Sequence, residues 1–487
     1  MKKLGWSAVK SDKDSSFVLL RVADRQTELR RLLEDEVQFE LAASTPHALL
    51  RLSEEVRRNF KTAVGGVLAC PEWARLAGGR ERLERFLLQR DKPGFTCTSK
   101  LEFNLKTHKR PIVPRELEGS QKNFLQPAQK FASHVLRREL GPLAPWVVQD
   151  SAEFVRRAEA GEFVVPPNYA LYSGDIKEFF PSCEHDGLAA AQERLLLARG
   201  YSIRAATAFK NLAVLLLDSQ YAYAPEVEGF FRRKRGAAMG AAQASEACAY
   251  VALNHDQVFV GPDRPAGIAW FLRFRDDCLF CANIEGMSDE KVAELKQKFS
   301  ERGSQLRLEV SAHEQGEAVW LDLAISVLPT GRLAFRTHIK PTNLGQYIAA
   351  DSYHSRATLD NWPVAELRRY AKNSSRWQDA EVPVRRLHEC LAKRLYSVSL
   401  REMLGRTWRL WQQRAELLQP TPGALGHKRT ALVLPFHRCW RRLGVQELLK
   451  RLEGELSEAG VRVRPLMIAY SNPFPHLYVK VRNLHRV

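Results

Sequence analysis

Three aspartates stand where apolar segments end, and their carboxylates could act together. Asp175 closes the segment "YALYSGD", and Asp276 and Asp277 are adjacent within "WFLRFRDDCLF". Two unit charges about 4 Å apart interact by roughly 4 kcal/mol at an effective dielectric constant of 20, so adjacent carboxylates repel each other. Bound Mg²⁺ would offset this repulsion, because it prefers carboxylate, water and phosphate oxygens as ligands.

The segments around these aspartates predict that they meet at one edge of a sheet. "YALYSGDIKEFF" predicts a strand that ends in a turn at Pro181, and "GIAWFLRFRDDCLFCANI" predicts two strands joined at the acidic pair. If these strands are neighbours, the three carboxylates could hold two Mg²⁺ ions, or Mn²⁺ in their place, for an in-line phosphoryl displacement. Taken alone, an Asp-Asp turn is more often a solvated acidic turn.

The remaining elements follow from apolar spacing along the chain. The segment "VWLDLAISV" predicts one strand, because its alternating apolar residues would share one face. From residue 346 onward the pattern is mostly helical and arginine-rich. Residues 16–90 are predicted to form helices, and further helices are predicted at 121–140, 187–199, 204–218 and 291–302. The segment 236–256 starts with glycine and small residues and is predicted to continue as a helix. This order predicts an α+β core between two helical regions.

Composition and charge narrow the class of protein. The chain has 487 residues, with 74 basic and 56 acidic side chains and a net charge of +18. The length predicts two to four subdomains, and the basic excess indicates a polyanionic partner, with nucleic acid first. A soluble basic enzyme without such a partner is the alternative. The lack of an eighteen-residue apolar run predicts no membrane span. Eight scattered cysteines predict reduced thiols and an intracellular protein, and Cys278 and Cys281 are a weak metal candidate.

Three segments, in chain order, resemble the palm motifs of reverse transcriptases. They are "SGDIKEFFPS", "GAAMGAAQAS" and "FRDD". The resemblance implies that Asp175 and Asp276 are the principal metal ligands and that Asp277 supports them. It implies that Phe180 excludes a 2′-hydroxyl group. It further implies nucleotide contacts from four residues in or after the second motif: Gly236, Met239, Gly240 and Gln243.

Two further segments resemble the Penelope-like element reverse transcriptases, which are relatives of telomerase. They are "LKTHKRPIVP" and "VWLDLAISVLPTGRLAFRTHIKPTNLGQYIAADSYHS". The first implies triphosphate contacts from Lys106, Lys109 and Arg110. The second implies a nucleic-acid contact at Lys340 and a primer grip made of Trp320, Leu321, Asp322 and Leu323. No GIY-YIG endonuclease motif is found, so we expect an endonuclease-deficient member or a core of a longer protein, with a separate endonuclease as a candidate partner.

The resemblance implies a right-hand polymerase with an antiparallel palm sheet. The expected divisions are a helical region at 1–95, fingers at 96–172, a palm at 173–345 that includes fingers helices at 187–235, and a thumb with a C-terminal segment at 346–487. The thumb is expected to contact nucleic acid through Arg368, Arg369, Lys372 and Arg376. Tyr370, Trp377, Trp408 and Trp411 are interleaved with them and suit base stacking. The alternative is a solvated helix face with buried tryptophans.

These features together predict an RNA-directed DNA polymerase. It would extend a DNA or RNA primer on an RNA template with deoxynucleoside triphosphates, and a nuclear site would follow from that substrate. The sequence does not choose a general acid among Lys291, Lys296 and Lys298. The alternatives are a catalytically silent fold that binds RNA and an RNA-dependent RNA polymerase. The three intact aspartates argue against the first, and Phe180 argues against the second.

Overall fold

The computed structural model divides the chain into two compact units. The first comprises Met1–Asp150, Phe163–Leu333 and Lys340–Leu344, and the second comprises Ser151–Glu162, Ala334–Ile339 and Gly345–Val487. The structure describes residues 5–12, 16–107, 110–120, 122–262, 264–265, 267–302, 306–313, 317–419, 430–435, 451 and 466–471. Within these residues, no helix combines the length and the apolar character that crossing a membrane requires.

Helices and strands alternate along most of the chain. The helices are α1 (Val22–Leu33), α2 (Pro46–Leu68), α3 (Pro71–Ala77), α4 (Arg80–Leu87), α5 (Gln126–Leu143), α6 (Ser151–Glu159), α7 (His185–Ala198), α8 (Ile203–Asp218), α9 (Ala244–Val260), α10 (Asp289–Ser300), α11 (Arg356–Asn373), α12 (Trp377–Ala392), α13 (Leu400–Gln412) and α14 (Arg414–Leu417). The strands are β1 (Trp6–Lys10), β2 (Phe17–Arg21), β3 (Phe39–Ala43), β4 (Thr98–Lys106), β5 (Val113–Gly119), β6 (Tyr169–Lys177), β7 (Tyr221–Tyr223), β8 (Phe230–Arg233), β9 (Ile268–Phe274), β10 (Asp277–Asn283), β11 (Arg307–His313), β12 (Glu317–Trp320), β13 (Leu323–Val327), β14 (Leu333–Thr337), β15 (Thr430–Pro435) and β16 (Leu466–Ser471). The fold is therefore mixed α and β, as predicted.

A four-stranded antiparallel sheet lies at the centre of the first unit. Its strand order is β11-β6-β10-β9. The apolar side chains of β9 and β10 pack against α9: the ring of Phe259 is stacked on Phe271 at 4.2 Å and is tilted against Phe280 at 5.1 Å. This buried face fixes the register of the strands, because a shift by one residue would turn every apolar side chain to the other face.

A second, five-stranded sheet in the first unit has the order β3-β8-β7-β4-β5. Only β4 and β7 are parallel, and the other neighbours are antiparallel. The prediction of helices throughout 16–90 is wrong here, because β2 and β3 interrupt them. Residues 39–43 pair with β8, which lies almost 190 residues further along the chain. Local apolar spacing cannot reveal such a distant partner.

One other prediction about elements needs correction. The segment "VWLDLAISV" is not one strand: β12 and β13 form a hairpin with Trp320 opposite Leu323. Leu321 lies in the turn with a φ of 57°, so it does not share a face with its neighbours. The segment 236–256 starts with glycine and small residues and continues as a helix, as predicted: residues 236–243 form an irregular loop, and α9 begins at Ala244. The helices predicted at 187–199 and 204–218 are confirmed as α7 and α8.

The second unit is mainly helical. Its core comes from α11, α12 and α13, which bury Leu367, Tyr370, Val384, Leu387, Leu391 and Met403 against one another. Strands β15 and β16 pair in parallel. Residues 472–487 of the predicted C-terminal segment lie outside the described residues. The division into fingers, palm and thumb stays a prediction.

Candidate active site

The antiparallel pairing of β6 and β10 brings two of the three predicted aspartates face to face. Asp175 and Asp277 are direct register partners. Asp276 lies in the two-residue turn between β9 and β10, and its carbonyl oxygen accepts a hydrogen bond of 2.8 Å from the backbone N–H of Ile176. Asp175 is exposed and the other two are half-buried. The predicted convergence of carboxylates at one sheet edge is therefore present.

Burial and mutual repulsion raise the pKa values of the half-buried pair. Burial raises the pKa of Asp277 to about 7, with further contributions from the negative charges of Asp276 and Asp175. A backbone hydrogen bond from Leu321 and the charge of Lys340 act in the opposite direction. Burial is also the main cause of the raised pKa of Asp276. The site thus concentrates negative charge that the protein compensates only in part.

A lysine that the sequence analysis did not single out forms an ion pair with Asp175. The Lys177 ammonium group is 2.6 Å from Asp175 Oδ2 and 2.7 Å from Glu309 Oε2. Alternation along β6 puts residues 175 and 177 on the same side of the sheet, and Glu309 is the β11 partner of Asp175. These two contacts raise the pKa of Lys177. A strand-spacing rule applied to "DIK" could have found this pair.

The donor set suits Mg²⁺, although the protein does not complete a metal shell alone. Across the residues that the structure describes, no three His, Cys, Asp or Glu side chains are gathered closely enough to enclose an ion. Mg²⁺ usually binds one or two carboxylates and takes its other ligands from water and substrate phosphates. The paired Asp175 and Asp277, with the raised pKa of Asp277, fit that open kind of site.

The loop 236–243 is held close to other backbone segments by its glycines. A Cβ at Gly236 would lie 2.5 Å from the carbonyl oxygen of Phe180, and one at Gly240 would lie 2.2 Å from that of Glu118. Both glycines also have positive φ angles, of 77° and 123°. The requirement for glycine at these predicted positions therefore already comes from contacts inside the protein.

Two side chains, Gln220 and His185, fix this loop by hydrogen bonds to its backbone. Gln220 donates to the carbonyl oxygen of Gly236 at 3.2 Å and accepts from the backbone N–H of Ala238 at 2.7 Å. His185 Nε2 lies 2.9 Å from the same Gly236 oxygen. The loop that carries Met239 is consequently anchored at its first three residues.

Gln243 and Phe180 adjoin this loop in different ways. Gln243 is 3% exposed, yet neither polar atom of its side chain has a hydrogen-bond partner among the described residues. A buried amide without partners is costly, so this side chain is suited to a bound molecule. Phe180 is half-buried and packs edge-on against Phe179 at 5.3 Å.

The predicted triphosphate contacts follow β4. Lys106 is the last residue of β4, and Arg110 donates to the carbonyl oxygen of Thr107 at 2.8 Å. Lys109 lies outside the described residues. Lys106 therefore lies at the end of β4, and Arg110 follows four residues later.

The predicted primer-grip segment forms the β12–β13 hairpin turn. Leu321 and Asp322 are the turn residues, and the backbone of Leu321 bonds to the Asp277 carboxylate. Trp320 and Leu323 are buried at 1% and 0% exposure and anchor the hairpin in the core. The turn of this segment thus reaches Asp277, and Trp320 and Leu323 are buried beside it.

The basic residues predicted to contact nucleic acid differ in how they are paired. Arg376 is bound to Asp379 at 2.8 Å and Arg369 to Glu366 at 2.7 Å, whereas Arg368 and Lys340 are exposed. Lys372 is half-buried.

Of the interleaved aromatic residues, Tyr370 is buried at 1% exposure and belongs to the core of the second unit, so its suggested role in stacking is wrong. Trp377, Trp408 and Trp411 form a cluster with ring separations of 5.0 to 6.4 Å, and Trp408 is 39% exposed. Lys298, one candidate general acid, pairs with Glu294 on α10.

A buried ion pair behind the acidic turn was also missed. Arg273 and Asp256 are both 0% exposed, and Arg273 Nε lies 2.8 Å from Asp256 Oδ1. The sequence signal was a charged residue inside the apolar strand "IAWFLRF". A charge at such a position predicts a buried partner, since long charged side chains are almost never fully buried unpaired.

Comparison with known proteins gives distant structural similarities only. No protein-family profile and no curated protein match the sequence. Apo telomerase of Candida tropicalis, truncated from its C-terminal domain, has 11% identity and a TM-score of 0.41 over 68% of this chain and 64% of that chain. Candida albicans telomerase in complex with a TWJ fragment of telomeric RNA has 11% identity and a TM-score of 0.43 over 67% and 61%. The RNA-dependent RNA polymerase of a human picobirnavirus has 14% identity and a TM-score of 0.38 over 74% and 60%. The chain spans less than two thirds of each of these structures.

Proposed function

We propose that this protein is an RNA-directed DNA polymerase of the reverse transcriptase type. The observation that carries the proposal is the register pairing of Asp175 with Asp277, beside Asp276 in the adjoining turn. In the proposed reaction, the 3′-hydroxyl of a primer attacks the α-phosphate of a deoxynucleoside triphosphate, and pyrophosphate leaves. A DNA primer and an RNA primer both offer the attacking 3′-hydroxyl.

The three aspartates are the residues that would hold Mg²⁺. When bound, Mg²⁺ supplies positive charge that favours ionisation of the attacking hydroxyl and balances charge on the leaving oxygen. Asp277 contributes a carboxylate whose pKa is raised to about 7 by burial and by its neighbours, so a cation is favoured beside it. Lys177 and Lys340 balance part of the negative charge at the same sheet edge.

In this proposal, the loop 236–243 lines the nucleotide pocket. The carbonyl oxygen of Phe180 accepts from the backbone N–H of Ala237 at 3.0 Å, which joins this loop to the segment that follows β6. Gln243 offers an unpaired amide, and Met239 is half-buried at the centre of the loop. A deoxynucleotide would contact these side chains, and Phe180 would oppose a 2′-hydroxyl.

The charge of the whole chain supports a nucleic-acid substrate. With a net charge of +18, phosphate contacts can contribute much of the binding free energy. The exposed Arg368 and Lys340 are suited to such contacts, and Trp408 is suited to stacking on a base. In this proposal the helical second unit corresponds to the thumb.

Primer extension tests the proposal. The purified chain is incubated with a primed RNA template, Mg²⁺ and either deoxy- or ribonucleoside triphosphates. We expect deoxynucleotide incorporation that falls at least about 100-fold in Asp276→Asn and Asp277→Asn, since several kcal/mol of charge stabilisation are lost. Asp289→Asn, an exposed aspartate on α10, is the matched control and should retain activity.

The same assay separates the alternatives. A preference for ribonucleotides would point to an RNA-dependent RNA polymerase. RNA binding without any synthesis would point to a silent binding module. Incorporation that is equal in Asp276→Asn and in the native chain would overturn the assignment of the acidic site.

A further inference from the structure

The strand that leads into the acidic turn contains a completely buried arginine. Arg273 lies on β9, three residues before Asp276, and neither it nor its partner Asp256 on α9 is exposed to solvent. Arg273 Nε lies 2.8 Å from Asp256 Oδ1, and Nη2 lies 2.8 Å from Asp256 Oδ2. This planar two-point contact holds the guanidinium group in one orientation.

The remaining donors of this guanidinium bind backbone carbonyl groups. Nη1 donates to the carbonyl oxygen of Arg275 at 3.0 Å, and Nη2 donates to that of Ala249 at 3.1 Å. Arg273 therefore links α9 directly to the first residue of the acidic turn.

Asp256 is itself fixed from a second direction. Trp146 Nε1 donates to Asp256 Oδ2 at 2.8 Å. The backbone N–H of Arg273 donates to the carbonyl oxygen of Trp146 at 2.9 Å, and Val148 donates back to that of Arg273 at 3.0 Å. The segment 146–148, α9 and β9 thus form one hydrogen-bonded unit around the ion pair.

The turn that this unit reaches has an unfavourable backbone conformation. Arg275 has a φ of 58°, although it carries a full side chain. In two-residue hairpin loops, a positive φ at the first position is normally met by glycine or asparagine. A non-glycine residue keeps such a conformation only where its surroundings determine it, and the bond from Arg273 to the Arg275 carbonyl oxygen is such a constraint.

Stability alone does not explain a buried ion pair at this place. Apolar residues of similar size often replace a buried ion pair without loss of stability. An apolar pair would still fill the space between α9 and β9, but it could not hold the carbonyl group of Arg275. What the charged pair adds is therefore control over the turn that carries Asp276.

We propose that Arg273, held by Asp256, is a positioning residue that fixes the Arg275–Asp276 turn so that the carboxylates of Asp276 and Asp277 face Asp175. The proposal deepens the function proposed above and rests on it in one respect: the alignment of the carboxylates serves metal binding only if that function is correct. Arg273 itself would touch neither substrate nor metal.

The test replaces the ion pair by apolar residues in the double variant Arg273→Met/Asp256→Leu. Two readouts are needed: amide hydrogen exchange of the metal-free protein, and Mn²⁺ affinity from paramagnetic resonance titration. We expect faster exchange in the 271–280 peptide and at Ile176, whose N–H binds the Asp276 carbonyl oxygen. We also expect Mn²⁺ affinity to fall about 10-fold or more, as is typical when residues that orient ligands are removed.

A matched control and a rescue separate positioning from general loss of structure. Arg233→Met/Glu118→Leu removes another buried ion pair, in the five-stranded sheet, in which each residue is 3% exposed. It should leave exchange at 271–280 unchanged. Adding Arg275→Gly to the first double variant should recover part of the Mn²⁺ affinity, because glycine adopts a positive φ without the constraint.

The outcomes are distinct. A folded Arg273→Met/Asp256→Leu protein with native exchange at 271–280 would overturn the proposal. If that protein does not fold, Arg273→Lys decides: it keeps the charge beside Asp256 but lacks the fork that reaches Arg275, so native exchange in it would also overturn the proposal. If the native chain binds no Mn²⁺ at the aspartates, the proposed function fails, while the exchange measurement still decides the role of Arg273.

Discussion

At the scale of single residues, the candidate site consists of carboxylates that the strand pairing brings close together. The pairing of β6 and β10 sets Asp175 opposite Asp277, and Lys177 offsets the charge of Asp175. Burial and two neighbouring carboxylates oppose the ionised form of Asp277, while a backbone donor and the charge of Lys340 favour it. A cation bound beside these carboxylates would be stabilised both by the closeness of the negative charges and by their incomplete compensation.

The raised pKa of Asp277 predicts that divalent-ion binding depends on pH. A proton on this carboxyl competes with the cation, so Mn²⁺ affinity should increase as the pH rises through about 7 and then level off. Paramagnetic resonance titrations from about pH 5.5 to pH 8.5 would measure this. In Asp277→Asn the affinity should be lower and its rise across this range smaller. An identical pH profile in both proteins would contradict the assignment.

Lys177 should act as a competitor of the cation. Its ammonium group is shared between Asp175 and Glu309, so Lys177→Met frees a carboxylate and leaves the aspartates less compensated. We expect the metal-free variant to melt at a lower temperature, and Mg²⁺ to raise its melting temperature more than it raises that of the native chain. The effect on affinity should be a few-fold, since partly exposed pairs contribute about 0.2–1 kcal/mol. Lys298→Met, which removes an exposed pair on α10, is the control and should leave the response to Mg²⁺ unchanged.

The sequence predicts some of these residues and not others, for a physical reason. Asp175, Asp276 and Asp277 can be found because each follows an apolar segment and two of them are adjacent like charges. Asp256 lies on a helix about 20 residues before the turn, and nothing local shows that it faces Arg273. The contribution of Leu321 is a backbone group, which side-chain patterns do not report.

At the scale of elements, the proposed site residues lie on strands β6 and β10 and on irregular segments that regular elements hold in place. The loop 236–243, the β9–β10 turn and the β12–β13 turn all lie between well-formed helices or strands. Arg275 and Leu321 have positive φ angles in two of these turns. Sequence patterns located the strands of the first hairpin correctly, but the second hairpin was missed because Leu321, which has a positive φ in its turn, is not a typical turn former.

Gly236 should be intolerant of any side chain. Its φ is 77°, and a Cβ would meet the carbonyl oxygen of Phe180 at 2.5 Å. We expect Gly236→Ala to lose at least about 1–2 kcal/mol of unfolding free energy from the backbone conformation alone. Gly65→Ala is the matched control: it lies in α2 with no neighbouring atom within 4 Å, and should stabilise the protein by about 0.5–1 kcal/mol. Denaturant unfolding measures both, and equal effects of the two substitutions would contradict this view of the loop.

At the scale of the whole molecule, the chain is basic and divides into two compact units. Several titratable side chains are buried within it. Net charge and length could be read from the sequence and remain the best evidence for a polyanionic partner. The pairing of β3 with β8, and with it the order of the five-stranded sheet, could not be predicted, because it depends on contacts between distant parts of the chain.

His255 should make the fold sensitive to acid. It is fully buried, its Nδ1 lies 2.6 Å from the carbonyl oxygen of Phe299, and burial lowers its pKa below 6.5. The unfolded chain binds a proton at about pH 6.5 whereas the folded chain does not, so stability should fall as the pH drops below that value. The slope should not exceed about 1.4 kcal/mol per pH unit from this group. Denaturant unfolding at pH 7.5 and about 5.5 should show a smaller difference for His255→Gln, and an unchanged difference would contradict the role of His255.

RNA binding should weaken steeply with salt and should distinguish two arginines of the second unit. Arg368 is exposed on α11, whereas Arg376 is paired with Asp379. Each phosphate contact to a single strand contributes about 0.7 to the slope of log K against log salt. Arg368→Gln should therefore reduce the slope more than Arg376→Gln does, as measured by fluorescence anisotropy. A slope near zero for the native chain would contradict phosphate-based binding.

Whether the three aspartates bind a divalent ion together is decided by the position of bound Mn²⁺. Crystals of the chain soaked in Mn²⁺ would show the ion by its anomalous scattering. We expect Mn²⁺ about 2.0–2.3 Å from carboxylate oxygens of Asp175 and of Asp276 or Asp277, with Lys177 displaced from Asp175. Saturating Mn²⁺ that binds elsewhere, with the Asp175–Lys177 pair intact, would contradict it.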